Sequence, residues 1–179
     1  MNRFTTYDDE LREFVGSFLE FDTTDGRERD AQEWVLDRLE SFGFDTYEWT
    51  ADAERLATHH EFPDDPADIP VADRPSVAGV VEFGDPDAGP TVVLNGHADV
   101  VPADEGLWET DPFDPVWGET EDGRETLTAR GAADMKAGTA MGVFAGRALA
   151  DAADDLDLNG RVVVESVAGE EEGGIGAAA

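Results

Sequence analysis

Two helical periods open the chain. Leu11, Phe14, Val15, Phe18 and Leu19 recur at i, i+3, i+4, i+7 and i+8, a single apolar stripe that predicts a first helix. Ala31, Trp34, Val35, Leu39 and Phe42 repeat the spacing with Arg38 as one polar interruption, and Gly43 supplies a C-terminal stop. The link between them, "DTTDGRERD", carries turn and capping residues. "FDTYEW" then alternates like a strand. Residues 51–75, rich in Asp, Ala and Pro, show neither period and read as a loop or weakly ordered excursion.

From Ser76 the period shortens. "SVAGVVEFG" and "TVVLNG" are short β-rich runs bounded by Gly, Pro and Asp, and "ETLTARG" is a further strand candidate. Residues 133–150, "ADMKAGTAMGVFAGRALA", predict a long helix whose small residues let it lie close on a flat surface. "GRVVVESVAG" is the most continuous apolar run, as expected of a strand buried on both faces. A strand, a helix and a strand in that order make a βαβ unit. The expected class is α/β, with a mostly parallel sheet and flanking helices. No internal repeat is visible.

Charge changes the picture more than length does. The 179 residues, 40% of them apolar, can bury a core, yet 43 acidic against 12 basic residues leave a formal net charge of -31. Lys136 is the only lysine. Such repulsion is tolerable where salt screens it, so the surface reads as salt-adapted and the setting as the cytoplasm of a halophile. Nucleic acid and anionic membranes are poor partners for this charge. The absence of cysteine excludes a disulfide framework and thiolate chemistry. The first ten residues lack an apolar leader, and no run approaches the ~18 apolar residues of a membrane span.

Three short stretches carry candidate chemistry. In "NGHADVVP", His97 follows an apolar run, at the end of a strand where sites in open α/β sheets gather. Asp99, two residues on, can accept from the imidazole and fix its tautomer. In "ARGAADMKAG", Asp134 stands where a strand hands over to a helix, as a ligand or as a helix cap. Lys136 beside it invites pairing with a carboxylate. In "VAGEEEGG", Glu170 and Glu171 follow another strand; neighbouring residues there point apart, so one can bind a metal while the other acts as a base. Each stretch alone could be solvated surface. Their spacing argues for convergence: 37 residues separate His97 from Asp134, and 37 more separate Asp134 from Glu171. One imidazole with several carboxylates suits Zn²⁺, with Co²⁺ or Mn²⁺ as alternatives. His59 and His60, in the acidic excursion, read as plain surface.

"NGHADVVP", "LTARGAADMKAG" and "GEEEGGIGA", in this order, resemble the M20 family of metallopeptidases and amidohydrolases, the group of acetylornithine deacetylase, succinyl-diaminopimelate desuccinylase and aminoacylase. The helical lead-in "FLEFDTTDGRERDAQEWVLDRLESFGF" and the link "WETDPFDPVWGE" are similar to that family too. The resemblance implies a zinc-exopeptidase-like catalytic domain holding two Zn²⁺. It implies hydrolysis of amide bonds in N-acyl amino acids or small peptides. His97 would bind one metal and Asp99 would orient it. Asp134 would bridge both metals, ahead of a cis bond to Met135. Glu170 would be the general base, Glu171 the ligand of the second metal, and Glu172 a variable position. The triplet also admits a register slipped to Glu171 and Glu172. Measured against the family, residues 1–179 correspond to the N-terminal portion of the catalytic domain. Its C-terminal part, a further acidic ligand, a late histidine and a lid that commonly makes homodimers are absent, so the strand in "RVVVESVAG" is expected at an exposed edge. The alternative reading is a non-catalytic remnant with an incomplete metal site.

Overall fold

The computed structural model describes residues 6–179; the first five, part of the stretch read above for a leader, lie outside the described residues. Helix α1 (Asp8–Leu19) and helix α2 (Arg29–Ser41) fall on the two apolar stripes. α1 buries Phe14, Val15, Phe18 and Leu19, and α2 buries Ala31, Gln32, Val35 and Leu39. The Trp34 ring lies 4.7 Å from that of Phe14 and is stacked on Phe18. Aromatic pairs of this kind add about 0.5–1.5 kcal/mol each beyond the area they bury.

Strands β1 (Asp45–Thr50), β2 (Pro75–Phe83), β3 (Thr91–His97) and β6 (Gly160–Val167) form one sheet in the order β1-β2-β6-β3. The class is α/β with flanking helices, as expected, but the sheet is mixed. Only β3 and β6 are parallel; β1 with β2, and β2 with β6, are antiparallel. A parallel pair needs a crossover that returns the chain to the same end of the sheet. Helix α4 (Lys136–Leu156) is the one long helix between two neighbouring strands, and it joins β3 to β6. The βαβ unit therefore starts from "TVVLNG". "ETLTARG" supplies β5 (Glu125–Thr128), which pairs with β4 (Val116–Glu119) in a separate hairpin. β6 lies inside the sheet between β2 and β3, so "RVVVESVAG" is not the exposed edge that was expected.

α4 sits close on the sheet because glycine faces it. A Cβ on Gly146 would come within 3.0 Å of the Phe44 ring and 3.2 Å of Val164. The core runs through Phe14, Phe18, Leu39, Phe44, Val143 and Val164, which ties α1, α2, α4 and the sheet together.

Residues 51–75 are more ordered than their composition suggests. Asp52 caps the short helix α3 (Ala53–Leu56), accepting from the amides of Glu54 and Arg55, and Asp65 caps a single 3-10 turn, Pro66–Asp68. Leu56, Phe62 and Ile69 bury together with Ala51 and Ile175 in a second small core. These apolar residues are too widely spaced for a period, and Ile175 joins them from the far end of the chain.

Candidate metal centre

β3 and β6 end side by side, with His97 opposite Val167. The ladder runs one bond further, Ala98 N–H donating to the Val167 carbonyl at 2.9 Å. Two loops therefore leave the sheet together, one carrying Asp99 and the other Glu170 and Glu171. Asp134 comes from the turn ahead of α4, and its bond to Met135 is cis. Gly96 sets how near that turn can approach: a Cβ there would lie 2.4 Å from Thr139 Oγ1 and 3.1 Å from Met135 Cε. In its absence the Thr139 hydroxyl reaches the His97 carbonyl at 3.3 Å.

His97 is buried and held from one side. Its Nδ1 lies 2.8 Å from the backbone carbonyl of Asp99. A carbonyl only accepts, so Nδ1 carries a proton, and Nε2 is the ring nitrogen left facing the carboxylates. Nε2 faces Asp134 Oδ1 at 3.2 Å and Glu170 Oε2 at 3.7 Å. One ligand atom from each of His97, Asp134 and Glu171 falls within 4.8 Å of the others. An imidazole nitrogen and carboxylate oxygens thus converge, and this donor set fits a divalent cation. Burial raises the Glu171 carboxyl above the usual carboxylate range; Asp134, Glu170 and Asp99 push it the same way, against His97.

Asp99 does two jobs through different atoms. Its carboxylate was expected to hold the imidazole, but Oδ1 is 3.7 Å from Nδ1, too long for a hydrogen bond, and the backbone carbonyl takes that role. The carboxylate instead accepts the Glu171 amide at Oδ2, 2.9 Å away. Oδ1 is buried and has no hydrogen-bond partner among the described residues.

Residues 93–179 match the model of peptidase family M20/M25/M40. The chain belongs to that family. N-formyl-4-amino-5-aminomethyl-2-methylpyrimidine deformylase of Bacillus subtilis (strain 168) is 30% identical over 146 residues, 81% of this chain and 28% of that protein. Succinyl-diaminopimelate desuccinylase of Methylobacterium radiotolerans is 44% identical over 85 residues, 48% of this chain and 20% of that protein. Two solved structures share the fold. Human carnosine dipeptidase 1 aligns with a TM-score of 0.64 at 22% identity, over 96% of this chain and 34% of its own. A dipeptidase from Saccharomyces cerevisiae aligns with a TM-score of 0.68 at 18% identity, over 98% and 35%. The M20 chain therefore spans less than a third of these curated relatives' length.

The glutamate triplet divides by direction. Glu170 and Glu171 face His97 and Asp134, whereas Glu172 turns away and pairs with Arg74, its Oε2 2.5 Å from Nη1. Glu170 and Glu171 are thus the two carboxylates of the triplet on the His97 side.

Two charged groups at this site carried no pattern in the sequence. Arg74 is 4% exposed and also pairs with fully buried Glu28. Its only local signal is its position just before a strand. Lys136 is fully buried, and its ammonium donates to the Phe21 carbonyl at 2.7 Å instead of pairing with a carboxylate, 5.2 Å from the Phe18 ring. Burial lowers its pKa to about 7, with Asp22 and Asp99 pulling the other way. Being the only lysine was the one hint the sequence offered. His59 and His60 are exposed, as read, with His59 beside Glu61.

Proposed function

We propose that this M20 chain carries the metal-binding part of a hydrolase that cleaves an amide bond in an N-acyl amino acid or small peptide. The observation that carries the reading is the convergence of His97, Asp134 and Glu171 within 4.8 Å. The deformylase and desuccinylase relatives support an N-acyl substrate, since both names describe removal of an acyl group.

In this reading His97 Nε2 and the carboxylates of Asp134 and Glu171 would hold the ions, with His97 serving one, Glu171 a second and Asp134 both. Zn²⁺ is the proposed ion, with Co²⁺ or Mn²⁺ as alternatives. The bound ions supply Lewis acidity and make water acidic enough to act as a nucleophile near neutral pH. Glu170, 3.7 Å from His97 Nε2, takes the proton of the attacking water on its carboxylate. It then gives that proton to the leaving amine, so water is split across the C–N bond. Asp99 holds both His97 and the Glu171 backbone while this happens. The same proposal sets the enzyme in a salt-rich cytoplasm, as a homodimer in its full-length form.

Two variants test it, alongside a panel of N-formyl, N-acetyl and N-succinyl amino acids and dipeptides. Glu170→Gln should keep the wild-type metal content and lose about 10²–10⁴-fold in turnover. Glu171→Gln should lose metal. Glu171→Gln that keeps metal and loses turnover, with Glu170→Gln near wild type, would restore the slipped register, and wild-type protein that binds no divalent ion would overturn the reading. Metal binding with no cleavage of any substrate would instead favour the non-catalytic alternative.

A further inference from the structure

We infer that Arg74 is a positioning residue for the metal-binding turn, acting through Glu172 from beneath the segment that carries Glu170 and Glu171. This rests on the metal reading above. It gives the third glutamate a task that the family pattern, in which that position is variable, does not.

Arg74 stands immediately before β2, where the excursion 51–75 rejoins the sheet. Its guanidinium bonds through all three nitrogens. Nε lies 3.2 Å from both carboxylate oxygens of Glu28, and Nη2 pairs with the same carboxylate. Nη1 donates to Glu172 Oε2 at 2.5 Å and to the Pro70 carbonyl at 3.3 Å. The planar fork thus joins the N-terminus of α2, the end of the excursion and the acidic triplet. Lysine, whose three donors sit on a single nitrogen, lacks the spread of this fork.

The turn is gripped at both ends. Gly169 enters it at φ +71°, and a Cβ built there would meet Arg74 Nη2 at 3.2 Å, so the guanidinium lies against the backbone just ahead of Glu170. Glu172 closes the same segment on Nη1. Between those points the Glu170 carbonyl accepts from Gly173 and Gly174 at 3.1 and 2.9 Å, and Asp99 takes the Glu171 amide. Ile175, inserted in the excursion's small core, fixes the far side. With Glu172 bound to Arg74, the two remaining carboxylates are left facing His97. Without that bond nothing holds the third carboxylate away from the ion, and the triplet loses its register.

Co²⁺ titration of the chain, followed by visible absorption, tests this against a bulk charge effect. Arg74→Gln alone would strand Glu28 as a buried charge, so the test variant is Arg74→Gln with Glu28→Gln, which leaves net charge unchanged. Positioning predicts Co²⁺ binding about 10–100-fold weaker, with a shifted absorption band, while far-UV circular dichroism stays that of wild type. Glu172→Gln, which leaves the Arg74–Glu28 pair intact on a side chain 41% exposed, should weaken binding similarly. Combined with the double variant it should add little. Wild-type affinity and spectrum in both variants would overturn the inference while leaving the metal reading in place. Absence of Co²⁺ binding by the wild type would overturn both.

Discussion

The Asp99 carboxylate accepts the backbone amide of Glu171 at 2.9 Å, across 72 residues of sequence. That bond ties the loop after β3 to the loop after β6, and it sits directly behind the atoms that converge on His97. Nearby metal-site partners of this kind commonly change affinity by about 10–100-fold when removed. Asp99→Ala should weaken Co²⁺ or Zn²⁺ binding within that range. Asp99→Asn keeps an acceptor oxygen for the Glu171 amide and leaves the Asp99 backbone carbonyl on His97, so its loss should be smaller. Equal losses in the two variants, measured by competition with a chelating dye, would mean that the charge matters and the hydrogen bond does not.

How far this arrangement can be read from residues alone depends on its range. The stripes of α1 and α2 were visible because a helix buries neighbours three and four apart, which puts the packing signal within a few residues. The three motifs were visible because each sits at the end of a strand or the start of a helix. Sheet direction was not, since it depends on which strand a helix returns to, and that is set by pairing between distant residues: β6 pairs with β3 and not with "ETLTARG". Nor was the direction of each glutamate in the triplet, because three identical side chains differ only in distant partners such as Arg74, 98 residues earlier than Glu172. The expected bond from the Asp99 carboxylate to His97 is made by the Asp99 backbone carbonyl instead, since a sequence names side chains and not the path of the main chain.

Gly96 tests how tightly the site depends on close packing of α4. Gly96→Ala would drive a methyl into Thr139 Oγ1, which lies 2.4 Å from the built Cβ. The Thr139 hydroxyl would have to leave the His97 carbonyl, or the first turn of α4 would have to move away. Overpacking of this sort costs about 1–3 kcal/mol. Urea denaturation should give a lower midpoint, and metal affinity should fall with it, because Asp134 precedes the same turn. A lower midpoint with unchanged affinity would show that the Asp134 turn moves independently of the helix.

Asp22 gives a sign for the acid limb of stability. Burial alone would raise its carboxyl, but hydrogen bonds from Thr24 and the charge of Arg27 outweigh it and hold the group below the ordinary carboxylate range. A group depressed in the folded state contributes stability above its unfolded value of about 3.9, and loses that contribution as pH falls through the folded value. Asp22→Asn should therefore be less stable than wild type at neutral pH, and the two curves should approach one another below about pH 4. Parallel curves down to pH 2 would assign the difference to lost hydrogen-bond geometry.

Salt dependence tests the reading of the surface. A net charge of -31 on 179 residues places like charges close together over most of the exterior, and α1 opens on Asp8, Asp9 and Glu10 in succession. The exposed ion pairs, such as Arg29 with Glu33 at 3.1 Å, contribute only about 0–1 kcal/mol each and weaken as salt rises. Repulsion among the many unmatched carboxylates weakens too, and there is far more of it to relieve. Screening shortens from about 10 Å at 0.1 M salt to about 3 Å at 1 M, which removes most contacts between neighbouring surface charges. The melting temperature should rise steadily from 0.1 to 2 M KCl, by about 2–4 °C for each kcal/mol of repulsion relieved. Replacing exposed glutamates on α1 and α2 with glutamine should reduce the slope without lowering stability in dilute buffer. A melting temperature that is flat or falls with KCl would show that the ion pairs, and not the repulsion, dominate, and the salt-adapted reading would be withdrawn.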